Sequence, residues 1–186
     1  MRIGIFGGSF DPIHRGHLAL AAYAASELDL DKVYFVPSHR TPLKSGERSL
    51  PAARRADLVK KAIRAYPRFA FSDVELKRKG VSYTVDTLRA FRKKFRTAQL
   101  YFLAGADRIR DFSRWRSKNE VLKSCRFVVL TRPGHRLRTR DRRFLWLPMP
   151  PVDVSSSDIR RRLKQGKSID QLVPAEVGKM LRGQGS

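Results

Sequence analysis

Short apolar runs alternate with longer amphipathic segments along the 186 residues, and no other feature constrains the fold as tightly. Arg2–Phe6, Lys32–Val36, Arg68–Ser72, Gln99–Ala104 and Arg126–Leu130 are rich in β-branched or aromatic residues and read as strands, with a shorter one near Phe144–Leu147. Arg15–Leu28, Pro51–Ala65, Thr84–Phe95, Asn119–Lys123, Ser156–Gln165 and Pro174–Arg182 read as helices. In the first of these, small or apolar residues recur at Leu18, Ala21, Ala22, Ala25 and Leu28, a helical period. Repeated strand-then-helix order predicts an α/β fold built on a parallel, doubly wound sheet with right-handed crossovers. The expectation is one domain over residues 1–186, with a small C-terminal helical part at about 155–182. Ligands of such a sheet gather beyond the carboxyl ends of its strands, near a switch point.

A chain of this length suits one α/β domain with a real core, and 41% hydrophobic residues is ordinary for a globular protein. No apolar run approaches the ~20 residues needed to cross a bilayer. The first residues show no charged segment leading into an apolar one, the pattern of a secretory signal. The single Cys125 excludes an internal disulfide framework and fits a reducing compartment, so a cytoplasmic location without membrane association is expected. Cys125 opens the apolar run to Leu130 and reads as a buried structural thiol.

The formal charge of +23 implies a positive field that attracts nucleotides, nucleic acids or acidic surfaces. Much of the excess reads as solvent-facing, at Arg54, Arg55, Lys60, Lys61 and Arg64, and at Arg89, Arg92, Lys93 and Lys94. Arg136–Arg143 follows Pro133-Gly134 and reads as a polar loop. Incidental RNA binding fits such a charge and would be salt-sensitive. No RNA-recognition, KH or helix-turn-helix signature accompanies it, which argues against a primary role in nucleic-acid binding. A homo-oligomer is compatible with the sequence, although no long apolar surface helix marks an interface.

Chemistry concentrates where strands give way to loops. After the first strand come Gly7-Gly8-Ser9-Phe10-Asp11-Pro12-Ile13-His14-Arg15-Gly16-His17, a double glycine followed by two histidines on the first turn of a helix. Glycines at a strand-to-helix turn let a ligand approach the backbone, and helix N-terminal amides hold phosphates. After the second strand, Arg40 and Lys44 could reach a triphosphate from a proline-stiffened loop. In Gly80-Val81-Ser82-Tyr83-Thr84-Val85-Asp86, either Ser82 or Thr84 is expected to cap a helix, whose amides could also bind a substrate carboxylate. Leu103-Ala104-Gly105-Ala106-Asp107 ends a strand, so Asp107 could bond ribose hydroxyls and the nearby Trp115 could stack on a base. Ser155-Ser156-Ser157-Asp158-Ile159-Arg160 opens a helix with hydroxyls and a charged fork, a combination suited to β- and γ-phosphates. Missing are a P-loop, a Gly-x-Gly-x-x-Gly dinucleotide fingerprint, a zinc cluster and a nucleophile elbow.

Gly-Ser-Phe-Asp-Pro-Ile-His-Arg-Gly-His resembles the signature of the HxGH nucleotidyltransferase superfamily. Ser82-Tyr83-Thr84-Val85-Asp86-Thr87-Leu88, Gly105-Ala106-Asp107 with Trp115, and the serine-rich Ser155–Arg160 narrow the resemblance to bacterial nicotinate-mononucleotide adenylyltransferases over nearly the whole chain. Phosphopantetheine adenylyltransferases, the alternative within enzymes, share the first and last elements but usually carry threonine at the position of His14.

The resemblance implies a Rossmann-like fold and adenylyl transfer from ATP to nicotinate mononucleotide, with Mg²⁺ accompanying the ATP. It implies that His14, His17, Lys44 and Arg160 serve the triphosphate. Gly7, Gly8, Ser9, Phe10, Gly105, Asp107, Ser156, Ser157 and Ile159 would complete the ATP site. Ser82, Tyr83, Thr84 and Trp115 would receive the mononucleotide. Two departures stand out: Thr41-Pro42-Leu43-Lys44 where the family commonly has Pro-Pro-His-Lys, and Ser157 where threonine is usual. The missing histidine contact is either lost or supplied by His39.

Overall fold

Side chains alternate faces along a strand, and in the central strands of this chain both faces are apolar. In β1 (Arg2–Gly8), Ile3 and Ile5 enter one hydrophobic cluster while Phe6 enters the other. The same split divides Val33 and Phe35 from Val36 in β2 (Lys32–Pro37), and Leu103 from Leu100 and Phe102 in β4 (Gln99–Gly105). It recurs in β5 (Arg126–Thr131), where Val128 and Leu130 face away from Phe127 and Val129. A sheet with two apolar faces must be covered on both, which is what the helices do.

The computed structural model describes residues 1–40, 49–109, 111–131, 142–150 and 152–183, with Asp107 and Arg108 described by backbone alone. With β3 (Phe69–Phe71) and β6 (Leu145–Pro148), the strands form one six-stranded sheet in the order β3-β2-β1-β4-β5-β6. Every neighbouring pair is parallel. One face is covered by α1 (Arg15–Glu27), α2 (Ala52–Ile63), α7 (Ser156–Lys164) and α8 (Ala175–Arg182), which supply Leu18, Leu58, Ile159 and Val177 to its core. The other carries α4 (Thr84–Lys94) and α6 (Lys118–Ser124), through Val85, Leu88, Phe91 and Val121. Each such aliphatic or aromatic side chain contributes about 1.5–3 kcal/mol by leaving water, so neither layer is dispensable. The expected α/β, doubly wound parallel sheet is the observed one.

From β1 the chain winds outward through β2 to β3, then returns to lay β4 against the opposite side of β1. The reversal leaves a crevice beyond the carboxyl ends of β1 and β4, where Gly7, Gly8 and Gly105 lie.

Three local expectations are corrected. Two short helices were not anticipated: α3 (Val74–Arg78) and α5 (Ala106–Ile109), the second continuing directly from β4. The cap of α4 is Tyr83, with no side-chain bond to the helix amides, rather than Ser82 or Thr84. The Ser82 hydroxyl instead accepts from the His39 N–H at 3.0 Å. Arg55 does not face solvent: it is 4% exposed, because α2 turns it inward with Leu58, Val59 and Ala62. The expected loop at Arg136–Arg143 lies, up to residue 141, outside the described residues. Among the described residues no helix is long and apolar enough to cross a membrane.

Candidate active site

The two histidines cap their own helix. His14 is the N-cap of α1, and its Nδ1 accepts the backbone N–H of His17 at 3.3 Å. His17 sits at the third helical position, and its Nδ1 accepts the backbone N–H of His14 at 3.3 Å. This is a capping box with imidazoles in place of the usual hydroxyl and carboxylate. Stacked rings, with centroids 3.7 Å apart and planes at 26°, complete it. The arrangement fixes the proton inventory. A backbone amide can only donate, so each Nδ1 is an acceptor, and each neutral ring carries its proton on Nε2. Both histidines therefore offer an Nε2–H donor.

The surroundings hold these rings in place. Gly16 lies directly against His14: a Cβ there would come within 3.0 Å of His14 Nδ1 and 3.1 Å of its Cε1. Phe10, with φ of 47°, swings its ring into the core, where it meets the His17 ring edge-on at 5.1 Å. Gly8 makes that possible, since a Cβ would stand 3.1 Å from Phe10 Cζ.

The histidines open onto a cavity of about 410 Å³. Gly7, Gly8, Ser9, Phe10 and Gly105 line it from the strand ends, and Ser155, Ser156 and Ser157 from the start of α7. Two helix N-termini thus converge on one space. Each brings roughly half a positive charge, and the first turn of α1 holds no acidic residue to offset it. The α7 end is tied down: Ser155 accepts the Asp158 N–H at 3.1 Å, and the Ser156 hydroxyl donates to the Pro12 carbonyl at 3.0 Å. Such a space suits an anion, and a phosphate above all.

The remaining expected residues divide by position. Arg160 is not among the cavity-lining residues and donates from Nη1 to the Asp11 carbonyl at 2.7 Å, with the Asp11 carboxylate 3.8 Å away. Ile159 is fully buried in the core beneath α7, and its amide bonds the Ser155 carbonyl at 3.2 Å. Tyr83 and Trp115 are half-buried against the opposite hydrophobic cluster, where Trp115 meets Phe102 edge-on at 6.0 Å. Ser82 precedes them, and Thr84 is the first residue of α4. Neither these four nor Arg160 and Ile159 line the histidine cavity. The His39 ring engages the Gly80 carbonyl through Nδ1 at 3.2 Å. Lys44 and the side chain of Asp107 lie outside the described residues. Among the described residues no three His, Cys, Asp or Glu side chains gather as a metal site.

The cytidylyltransferase-like family matches residues 5–162. A Clostridium novyi protein named "probable nicotinate-nucleotide adenylyltransferase" is 40% identical over 185 residues, covering 94% of this chain and 92% of its own. A Thermus thermophilus protein of the same name is 43% identical, covering 95% and 94%. The chain belongs to the nicotinate-nucleotide adenylyltransferase family. It is a nucleotidyltransferase. The fold agrees: Plasmodium falciparum nicotinic acid mononucleotide adenylyltransferase, solved in complex with NaAD, superposes with a TM-score of 0.78 at 18% identity, covering 98% of this chain and 95% of that one.

In this nicotinate-nucleotide adenylyltransferase family member, three further residues support the site beyond those the sequence points to. Gly16 belongs to the motif, and its contact with the His14 ring emerges only in the folded chain. Asp11 is 6% exposed, with its Oδ1 accepting the Leu50 N–H at 3.0 Å, and it faces Arg160 on the other side. Arg55, expected at the surface, is buried. Its spacing to Leu58, Val59 and Ala62 was the signal that places it on the buried face of α2. Burial lowers its pKa from the usual arginine value, and the nearby Asp11 charge opposes that shift.

Proposed function

We propose that this protein transfers the adenylyl group of ATP to nicotinate mononucleotide, releasing pyrophosphate and forming deamido-NAD. The observation that carries the chemistry is the imidazole pair presenting two Nε2–H donors beside the facing N-terminus of α7. The names of the relatives support the choice of acceptor.

The 5′-phosphate oxygen of the mononucleotide attacks the α-phosphorus of ATP, and the bond from that phosphorus to the β-phosphate bridging oxygen breaks. A phosphate oxygen is already a competent nucleophile, so the protein needs to align it and to receive charge on the departing pyrophosphate. His14 and His17 donate to the triphosphate, in bonds that strengthen as negative charge moves toward the leaving group. Gly7, Gly8, Ser9, Phe10, Ser156 and Ser157 surround the phosphates. Ile159 seats α7, while Lys44 and Arg160 add positive charge at the pyrophosphate end. Gly105 and Asp107 take the ribose. Mg²⁺ arrives with ATP as part of the substrate and keeps mostly water ligands. The amides of α4 behind Ser82, Tyr83 and Thr84 meet the nicotinate carboxylate, aided by the absence of a side-chain cap, and Trp115 lies against the ring. We place this reaction in the cytoplasm, within a single nucleotidyltransferase domain.

Pyrophosphate release from ATP, measured side by side with nicotinate mononucleotide, nicotinamide mononucleotide and phosphopantetheine, tests the reading. The nicotinate acceptor is expected to give the highest kcat/KM, because only its carboxylate carries charge to the α4 terminus. Equal kcat/KM for the two pyridine mononucleotides overturns the carboxylate assignment. Turnover only with phosphopantetheine overturns the substrate class.

A further inference from the structure

Arg55 is not among the residues that line the cavity, yet its guanidinium makes four hydrogen bonds beside it. Its Nε donates to the Leu50 carbonyl at 3.1 Å and its Nη1 to the Ser9 carbonyl at 2.6 Å. Its Nη2 donates to the Ser38 carbonyl at 2.7 Å and the His39 carbonyl at 3.2 Å. One planar fork therefore serves four carbonyls from three separate segments: the loop after β1, the segment after β2, and the approach to α2.

The bonded peptides point onward in both directions. A trans peptide sets its C=O and N–H on opposite edges. Fixing the Ser9 carbonyl therefore fixes the direction of the Phe10 N–H, in the loop that lines the histidine cavity. Fixing the Ser38 carbonyl fixes the His39 N–H, which donates to the Ser82 hydroxyl at 3.0 Å. One residue beyond the His39 carbonyl that Arg55 also holds, the Arg40 carbonyl accepts the Ser82 N–H at 2.9 Å, and Arg40 bridges Val81. Arg55 is thus two bonds from the segment that leads into α4 and one from the phosphate loop.

We infer that Arg55 is a positioning residue, whose guanidinium holds the phosphate loop and the Ser82–Thr84 segment in one register so that two nucleotides meet in line. The inference rests on the adenylyl-transfer reading above. Lysine cannot replace the arginine, because an ammonium has three donors on a single atom and no planar fork to span carbonyls in three segments. Alignment of reacting phosphates is sensitive on this scale: a displacement near 1 Å made away from the chemistry can cost about 10²-fold in rate.

The test compares wild type, Arg55→Lys and Arg55→Ala by steady-state pyrophosphate release with ATP and nicotinate mononucleotide, each protein first checked by circular dichroism and thermal unfolding. Wild-type turnover tests the parent reading separately, so its absence overturns that reading and this inference with it. With active wild type, folded Arg55→Lys is expected to lose about 10²-fold in kcat, with both KM values changing much less than kcat. Guanidinium chloride at low millimolar concentration, refilling the space in Arg55→Ala, is expected to restore at least about tenfold of the lost kcat while leaving wild type unchanged. A folded Arg55→Lys with kcat near wild type overturns the inference. So does a loss confined to one KM, which would mean that Arg55 supports a single half-site. Failure of guanidinium to raise kcat in folded Arg55→Ala overturns it as well, since a general packing role predicts that failure.

Discussion

A glycine between two histidines has two possible uses at this position, and the geometry separates them. Backbone freedom is not the reason, because Gly16 lies inside α1, where any residue's backbone fits. Space is the reason, with the His14 ring 3.0 Å from where a Cβ would stand and Val152 Cγ1 3.3 Å from it on another side. Gly16→Ala must therefore shift the imidazole by a few tenths of an ångström against its stack with His17, which is expected to loosen the reciprocal caps. Alanine otherwise favours a helix by up to about 1 kcal/mol over glycine, so stability is expected to change little while kcat falls by about 10²-fold. Unfolding curves and pyrophosphate release on the same preparation check this, and a fully active Gly16→Ala would show that the ring stack is not needed. The histidines themselves were legible in the sequence, because a strand, a double glycine and a helix period frame them. Asp11 was not, because a carboxylate in a turn reads as solvent-facing until α7 and the approach to α2 are brought against it. Arg55 was legible in principle: its helical spacing puts it inside, but its charge argued for outside, and four backbone carbonyls decide for the inside.

Elements were read more securely where they are long. All six strands and the helices from α1 to α8 of seven residues or more correspond to runs visible in the sequence, with ends displaced by a residue or two. The five residues of α3 and four of α5 are too few to show a helical period, and α5 starts where β4 stops. The start of α4 was misread at its cap because Ser82 is a strong local candidate, and only tertiary structure shows its hydroxyl spent on the His39 amide. How α4 is held bears on the mononucleotide side of the site. Arg89 of α4 reaches Glu120 of α6 with a two-pronged pair, 2.7 Å at each contact, joining the helix that begins at Thr84 to the one that follows Trp115. The Arg89 hydrogen bond is the main cause holding the Glu120 carboxyl below its usual range. A depressed carboxyl pKa means that this contribution to stability is present above the unfolded value and is lost as pH falls through the folded one. Glu120→Gln is therefore expected to lower Tm slightly at neutral pH, because the pair is exposed, and to match wild type in acid. Thermal unfolding at both pH values checks the sign. A difference that persists in acid would assign the effect to packing of α6 rather than to charge.

The charge of the whole molecule acts on a longer scale than any of these contacts. Part of the arginine excess is structural, as Arg55 shows and as Arg92 does by bonding the Ala98 and Ser124 carbonyls at 2.7 and 3.2 Å. Internal bonds do not cancel a charge, so the molecule still projects the field of a net +23. Both proposed substrates are anions, and they enter a crevice toward which two helix N-termini already point. Their encounter rate should therefore depend on the field, while the chemical step, set inside the cavity, should not. Salt distinguishes the two, because the screening length shortens from about 30 Å at 0.01 M to about 8 Å at 0.15 M. Over that range kcat/KM for ATP is expected to fall by about tenfold while kcat stays level. Matched stopped-flow and steady-state measurements, with free Mg²⁺ held constant, read both quantities. If kcat/KM stays flat, the positive potential lies away from the substrate path and the excess charge serves some other anion. Salt-steep binding to RNA of unrelated sequences would then identify that anion as a phosphate backbone, since each released counterion adds to the slope.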